Sequence, residues 1–164
     1  MKKAVSTLIA ICVVFNALAQ TDTNQVYYKS KVIPAFNLAK IPDSSFFVNA
    51  NLQKDKPTII IFFAPDCDHC QNATKEMTAK MDKLKNAQIL MVSWMDVSFI
   101  KKFYVDYKLA DYPNITVTKD PAYKLLQYYT VHSIPDVFVY DKNGKYLDHF
   151  MSKIPVDEIA ALLK

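Results

Sequence analysis

The chain has 164 residues, half of them apolar, which is enough for one domain with a sizeable core. Its formal net charge is +4, and every basic residue is a lysine, spread along the sequence without a cluster, which argues against nucleic-acid binding as its main business. No internal repeat or low-complexity stretch appears.

Residues 1–19 read as a signal peptide: Lys2 and Lys3, a mostly apolar stretch to Phe15, then Ala17-Leu18-Ala19 before Gln20. Ser6, Thr7 and Asn16 interrupt the apolar stretch, which falls short of the ~20 residues that a membrane anchor needs. The sequence therefore predicts export to the periplasm or an equivalent compartment, with cleavage after Ala19. Cleavage would remove Cys12, leaving Cys67 and Cys70 as the only thiols, and would lower the charge to +2, with 18 lysines against 16 acidic residues. Residues 20–31 are polar and aperiodic and predict a flexible lead-in, followed by one domain over 32–164.

Residues 33–38 and 45–48 are extended candidates, with Pro34 and Pro42 favouring edge or loop positions, and 49–53 a short helical turn. The continuous β-branched and aromatic run 58–63 has the pattern of a strand buried on both faces of a parallel sheet. From Cys67 onward, Cys70, Ala73, Met77, Met81 and Leu84 recur at steps of three and four, which predicts a helix with one buried face and Cys67 near its start. Unpaired N–H groups and the positive end of the helix dipole favour a thiolate there, so Cys67 is expected to be the attacking sulfur. Cys70, at i+3 and on the buried face, is placed to resolve a mixed disulfide. Zinc needs about four ligands, and His69, His132 and His149 show no ligand spacing, so neither a metal nor another cofactor is expected. A purely structural bridge between Cys67 and Cys70 would close too small a loop to stabilise much.

Residues 88–94 form a second buried strand, parallel to the first, completing a βαβ unit. Val97, Ile100, Phe103, Tyr104 and Tyr107 repeat at helical spacing, as a core stripe rather than a cofactor site, and Asp96 or Ser98 can cap the helix start. A short strand over 114–118 and a short helix over 122–129 follow. Residues 137–140 and 146–150 predict a hairpin whose Asn143-Gly144 turn carries the chain's only glycine, and 155–163 a closing helix with Pro155 in its first turn and Ile159, Leu162 and Leu163 inward.

Phe62-Phe63-Ala64-Pro65-Asp66-Cys67-Asp68-His69-Cys70 after a buried strand resembles the thioredoxin superfamily, in particular its exported TlpA/ResA-like thiol-disulfide oxidoreductases. Downstream, the run from Ser133 through Ile134-Pro135-Asp136 to Asn143-Gly144-Lys145 resembles that family's cis-proline loop, strand and hairpin, 65 positions separating Cys70 from Pro135 as in the TlpA/ResA group. The resemblance covers about 32–164. It implies an α/β, thioredoxin-like fold: a central mixed β-sheet flanked by helices, with an added N-terminal β-hairpin from 33–38 and 45–48. It also implies a cis Pro135 packed beside the cysteines, with Ile134 presenting backbone groups to an extended substrate segment. The partners implied are client proteins with disulfides or thiols, and a membrane-spanning electron donor, because an oxidising compartment does not keep the pair reduced unaided.

Three departures from the pattern stand out. Many thioredoxins carry a buried acid six positions before the first motif cysteine, where this chain has Ile61, and apocytochrome-type reductases carry a glutamate where it has Ala73. Glu76, one turn further on, is a substitute only if its helix face allows. Asp66 replaces a frequent tryptophan, so Asp66, Asp68 and His69 surround the sulfurs and are expected to set the redox poise. The helix dipole and the protonated fraction of His69 favour a thiolate, while the two carboxylates oppose it by similar amounts, and this balance predicts a reducing poise. The reading is an exported thiol-disulfide oxidoreductase that reduces or exchanges disulfides in clients. Three alternatives stay open: a disulfide-introducing oxidase; a thiol peroxidase, whose Pro-x-x-x-Thr-x-x-Cys pattern Pro65-Asp66-Cys67 does not supply; and a copper-delivery protein resembling the Sco group, which would need Cys-x-x-x-Cys.

Overall fold

The computed structural model describes residues 31–164. The predicted signal peptide, 1–19, and the lead-in up to residue 30 lie outside the described residues. At residue 31 the chain is already tied down, since the Lys31 carbonyl accepts the Tyr146 N–H at 2.9 Å.

Seven strands and four helices follow: β1 (Asn37–Lys40), β2 (Phe46–Val48), β3 (Thr58–Phe62), α1 (Asp68–Ala79), β4 (Gln88–Ser93), α2 (Val97–Asp106), β5 (Ile115–Lys119), α3 (Lys124–Tyr128), β6 (Asp136–Tyr140), β7 (Tyr146–Met151) and α4 (Val156–Leu162). They build one mixed sheet in the order β2-β1-β5-β4-β3-β6-β7. The β-branched run at β3 is central, as its composition demands: it pairs parallel with β4 on one side and antiparallel with β6 on the other, and all five residues are buried. Alternate residues feed two cores. Ile59, Ile61 and Phe63 pack with Met91, Val137 and Val139 against Cys70 and Met77 of α1, Ile100 and Phe103 of α2 and Ile159 of α4. Ile60 and Phe62 face the opposite side with Leu90, Val92, Phe138 and Tyr140, under Phe36, Leu125 and Tyr129. Within that second core the Tyr129 and Tyr140 hydroxyls are hydrogen-bonded at 2.6 Å.

The N-terminal hairpin is present, with its first arm displaced. β1 and β2 pair antiparallel, Leu38 opposite Phe47, and β1 extends the sheet edge against β5. The arm starts at Asn37 rather than residue 33 because a side chain takes the backbone groups before it: Asn49 Oδ1 accepts the Phe36 N–H at 2.7 Å, and Asn49 Nδ2 donates to the Pro34 carbonyl at 2.8 Å. Asn114 acts similarly, donating to the Leu84 and Ala87 carbonyls at 3.1 and 3.2 Å, and β5 begins one residue after it.

Three details of the helices differ from expectation. The stripe from Cys70 to Leu84 spans two elements, since α1 ends at Ala79 and a separate 3-10 turn, Met81–Leu84, carries Leu84 into the core. Asp96 stands at the N-cap of α2, but its side chain makes no cap hydrogen bond and instead lies 3.9 Å from Lys119 Nζ. In α4, Pro155 is the cap residue and Val156 and Ile159 face inward, so the inward period falls on Leu163 and leaves Leu162 38% exposed. Gly144 has φ +74 with open space around the missing Cβ, so the turn needs glycine for its backbone angle and not for room.

Asn49→Ala removes both hydrogen bonds and leaves two part-buried backbone groups to find water. Urea unfolding should show a loss of about 1–3 kcal/mol, with Asn49→Asp, which keeps the acceptor alone, in between. An unchanged midpoint for Asn49→Ala would show that the side chain does not set the start of β1.

Candidate active site

β3 ends at Phe62, the Phe63 N–H still bonds to the Val92 carbonyl at 3.0 Å, and the chain turns at the buried Ala64-Pro65. The turn is closed by the Cys67 N–H on the Ala64 carbonyl at 3.1 Å. It is held from the helix side by Gln71, whose Nε2 donates to the Pro65 carbonyl at 2.9 Å. Cys67 is the N-cap of α1, with extended backbone (φ −89, ψ 114), and its sulfur occupies the place of a capping oxygen, accepting the Cys70 N–H at 3.4 Å. Cys70 sits one turn in and is 1% exposed, while Cys67 is only partly buried. Both are free thiols.

This asymmetry has an electrostatic side. Burial pushes the Cys70 thiol up to about 12, with the hydrogen bond and charge of Cys67 and the charge of Asp66 acting in the same direction and the Ala64 backbone opposing. Beneath Cys70 the core is apolar: Ile61 is fully buried where thioredoxins place an acid, and Ala73 is packed against the same cluster. Glu76 does not substitute, because it is exposed and lines a surface cleft with Lys80 and the start of α4. Asp66, Asp68 and His69 are all solvent-exposed around the cysteine loop. A groove beside that loop is walled by Pro65, Asp66 and Gln71 on one side and Phe99, Phe103 and Tyr107 of the α2 region on the other.

The Ile134–Pro135 bond is cis. Its placement follows from the sheet: Asp136, the first residue of β6, pairs with Phe62, the last of β3, so the proline loop enters at the end of the sheet from which the cysteine loop leaves. Cys67 and Ile134 both pack on the rim of the first core. The loop is fastened to the end of β7, since the Ser152 N–H donates to the Pro135 carbonyl at 2.7 Å and the Ser133 and Ser152 hydroxyls lie 2.8 Å apart.

Three features escaped the sequence reading, two of them in this region. Gln71 showed only as a polar residue on a helix. The Ile41–Pro42 bond is also cis, remote in sequence from the cysteine motif. Most informative, the Asp136 carboxylate is buried and lies 2.6 Å from His149 Nε2. An acid opening an otherwise apolar strand was the available signal, but its partner is thirteen positions away. Among the described residues, no three His, Cys, Asp or Glu side chains converge as a metal-holding group, and no helix is long and apolar enough to cross a membrane.

A strand-loop-helix unit capped by a cysteine, with a cis-proline loop at the same end of the sheet, defines the thioredoxin-like fold. The chain belongs to the AhpC/TSA family, whose model matches residues 30–147. No curated protein matches it significantly. Among solved structures it is similar to a putative thioredoxin from Neisseria meningitidis, at 25% identity over 80% of this chain and 86% of that one, with a TM-score of 0.64. A secreted Mycobacterium tuberculosis disulfide oxidoreductase, described as homologous to Escherichia coli DsbE, shares the fold at 19% identity, over 77% and 92% of the two chains, TM-score 0.64. StoA from Bacillus subtilis does so at 15%, over 80% and 98%, TM-score 0.61.

The raised Cys70 predicts a pH dependence of the reduced protein's stability. The folded state keeps a proton that the unfolded thiol gives up above its ordinary value of 9.0, so between pH 9 and about 12 unfolding releases a proton and stability falls as pH rises. Tyr129 and Tyr140 are also raised by burial and add a slope of their own. Unfolding midpoints of reduced wild type and Cys70→Ala, compared across this range, should diverge, with the wild type losing more. Parallel curves would show that Cys70 is not held protonated by the fold.

Proposed function

We propose that this protein is an exported thiol-disulfide oxidoreductase that reduces or exchanges disulfides in client proteins through Cys67 and Cys70. The observation that carries the reading is the inequality of the two thiols: Cys67 is accessible at a helix N-cap with a backbone N–H on its sulfur, and Cys70 is buried one turn behind it. A sulfur that reaches solvent and a second that reaches only the first is the arrangement two-step exchange requires.

In the first step the Cys67 thiolate attacks one sulfur of a client disulfide, forming a mixed disulfide and expelling one client sulfur as a thiolate that takes up a proton. In the second, Cys70 loses its proton and attacks the Cys67 sulfur, expelling the second client sulfur. Two electrons pass to the client and a Cys67–Cys70 disulfide remains, which a dithiol donor must reduce; export makes a membrane-spanning donor the source. Ile134 and Pro135 are the surface along which an extended client segment lies, Ile134 offering backbone groups. Asp66, Asp68 and His69 are the charges that tune the couple. The similarity to a secreted disulfide oxidoreductase supports this reading at the level of the fold.

Cys70→Ser should accumulate mixed disulfides with client proteins, released by dithiothreitol and visible on non-reducing gels, and Cys67→Ser should not. The opposite result reverses the roles. The wild-type couple should be more reducing than DsbA's, at about −120 mV, and Asp68→Asn should move it in the oxidising direction by relieving a charge that opposes the thiolate. A wild-type potential near −120 mV replaces the reductase with a disulfide-introducing oxidase.

A further inference from the structure

The Asp136–His149 pair lies on the far side of the sheet from the thiols. On β6, Val137 and Val139 face the core that holds Cys70, while Phe138 and Tyr140 face the opposite one, and Asp136 shares their parity. His149 confirms the side: its ring is stacked on Phe138, with centroids 4.3 Å apart and planes within 14°. The pair is therefore not a replacement for the acid missing at Ile61.

Its geometry is diagonal. In the β6–β7 register His149 stands opposite Phe138, and Asp136 opposite Met151, so the hydrogen bond between His149 Nε2 and the Asp136 carboxylate runs obliquely across the two strands. Ladder bonds hold strands together, whereas an oblique side-chain bond opposes their sliding past each other. The same ladder carries a register shift at Val139/Tyr140, so its alignment is not uniform along the two strands, and the oblique bond fixes it at the end next to Pro135. Stacking on Phe138 fixes the ring plane, so Nε2 is aimed at the carboxylate. Stability alone gives no reason for this choice, since a buried hydrogen-bonded pair can be replaced by apolar residues of similar volume with little loss.

What the bond holds in place is the surface next to Cys67. Asp136 follows Pro135 directly, and Met151, opposite it, is the last residue of β7 and 55% exposed. Ser152 is bonded to the Pro135 carbonyl. Ile134 and Met151 are thus two apolar edges whose offset depends on how β6 and β7 are aligned. We propose that Asp136 and His149 are positioning residues that fix this offset, and so determine how well an extended client polypeptide seats beside Cys67, without acting on the sulfur chemistry. This rests on the dithiol reading above and adds to it a specificity element that touches neither thiol.

The test compares a protein disulfide, insulin, with a small one, DTNB, whose reduction needs no seating. The double variant Asp136→Leu/His149→Phe removes the bond, leaves no unpaired buried charge and keeps a ring on Phe138. It should unfold at or above the wild-type midpoint, reduce DTNB at the wild-type rate, and show a KM for insulin raised about tenfold with kcat kept, since only binding is lost. Asp136→Asn, which can still accept from His149, should retain the wild-type KM. A folded double variant with wild-type KM for insulin overturns the proposal, as does an equal loss on both substrates. Should the double variant not fold, amide exchange in His149→Phe decides: faster exchange at Ser152 with β3 unchanged supports the proposal, and unchanged protection at Ser152 overturns it. Wild-type protein inactive on both substrates overturns the dithiol reading and this inference with it; active wild type matched by its variants overturns this inference alone.

Discussion

The antiparallel pairing of β3 with β6 is the constraint on which the site depends. β3 is hydrogen-bonded on both edges and covered on both faces, with Ile59, Ile60, Ile61 and Phe62 all fully buried. Each such side chain contributes roughly 1.5–3 kcal/mol of burial, so the end of this strand is among the least mobile points available to the chain. Because β6 runs the other way, its first residue lies beside the last of β3. A parallel neighbour would have brought its far end there instead. One register thus joins a cysteine loop to a proline loop that the chain reaches only after two further strands and three helices.

The inequality of the two thiols follows from helical geometry with little further help. The N-cap residue is outside the first turn and keeps access to solvent, while the residue three later has already rotated toward the sheet, on the same side as Thr74 and Met77. The interior then acts on Cys70 in a way that suits the order of steps. Part of what holds its proton is the neighbouring Cys67 sulfur, through its hydrogen bond and its charge. On the proposed reaction, a Cys67 tied up in a mixed disulfide carries no charge, that contribution disappears, and Cys70 becomes easier to ionise for its attack. With Ile61 and Ala73 where an acceptor could have stood, this change at Cys67 takes on more weight than it would beside a buried acid.

What the sequence disclosed and what it hid divide along a physical line. Periodicity and capping act over a few residues, so the buried run at β3, the placement of Cys67 at the start of α1 and the glycine of the β6–β7 turn were legible. The resemblance supplied the proline loop. Hidden were the features decided by which residues meet across the sheet. Asn49 takes the backbone groups of Pro34 and Phe36 from fifteen and thirteen positions away and so moves the start of β1. Glu76 has the spacing of a substitute acid but turns outward, a matter of one helical step. Leu162 has the i+3 spacing from Ile159 of an inward residue, but Val156 and Ile159 together centre the buried face so that it reaches Leu163 instead. The Asp136–His149 contact needs the β6–β7 register, which no local pattern specifies.

The alternation of side chains along β6 separates two kinds of influence on one site. Val137 and Val139 belong to the core cluster that also holds Cys70, so a change there alters the packing of the core that buries its thiol. Asp136 and Phe138 face the other core, and a change there reaches the thiols only through the backbone, by moving the loop that starts at Pro135. On the proposed roles, the packing around Cys70 and the shape of the surface beside Cys67 are carried by neighbouring residues on opposite faces of a single strand. A strand buried on both sides can in this way let one property vary while the other is held, which a helix with one buried stripe could not do, since its inward residues share one environment.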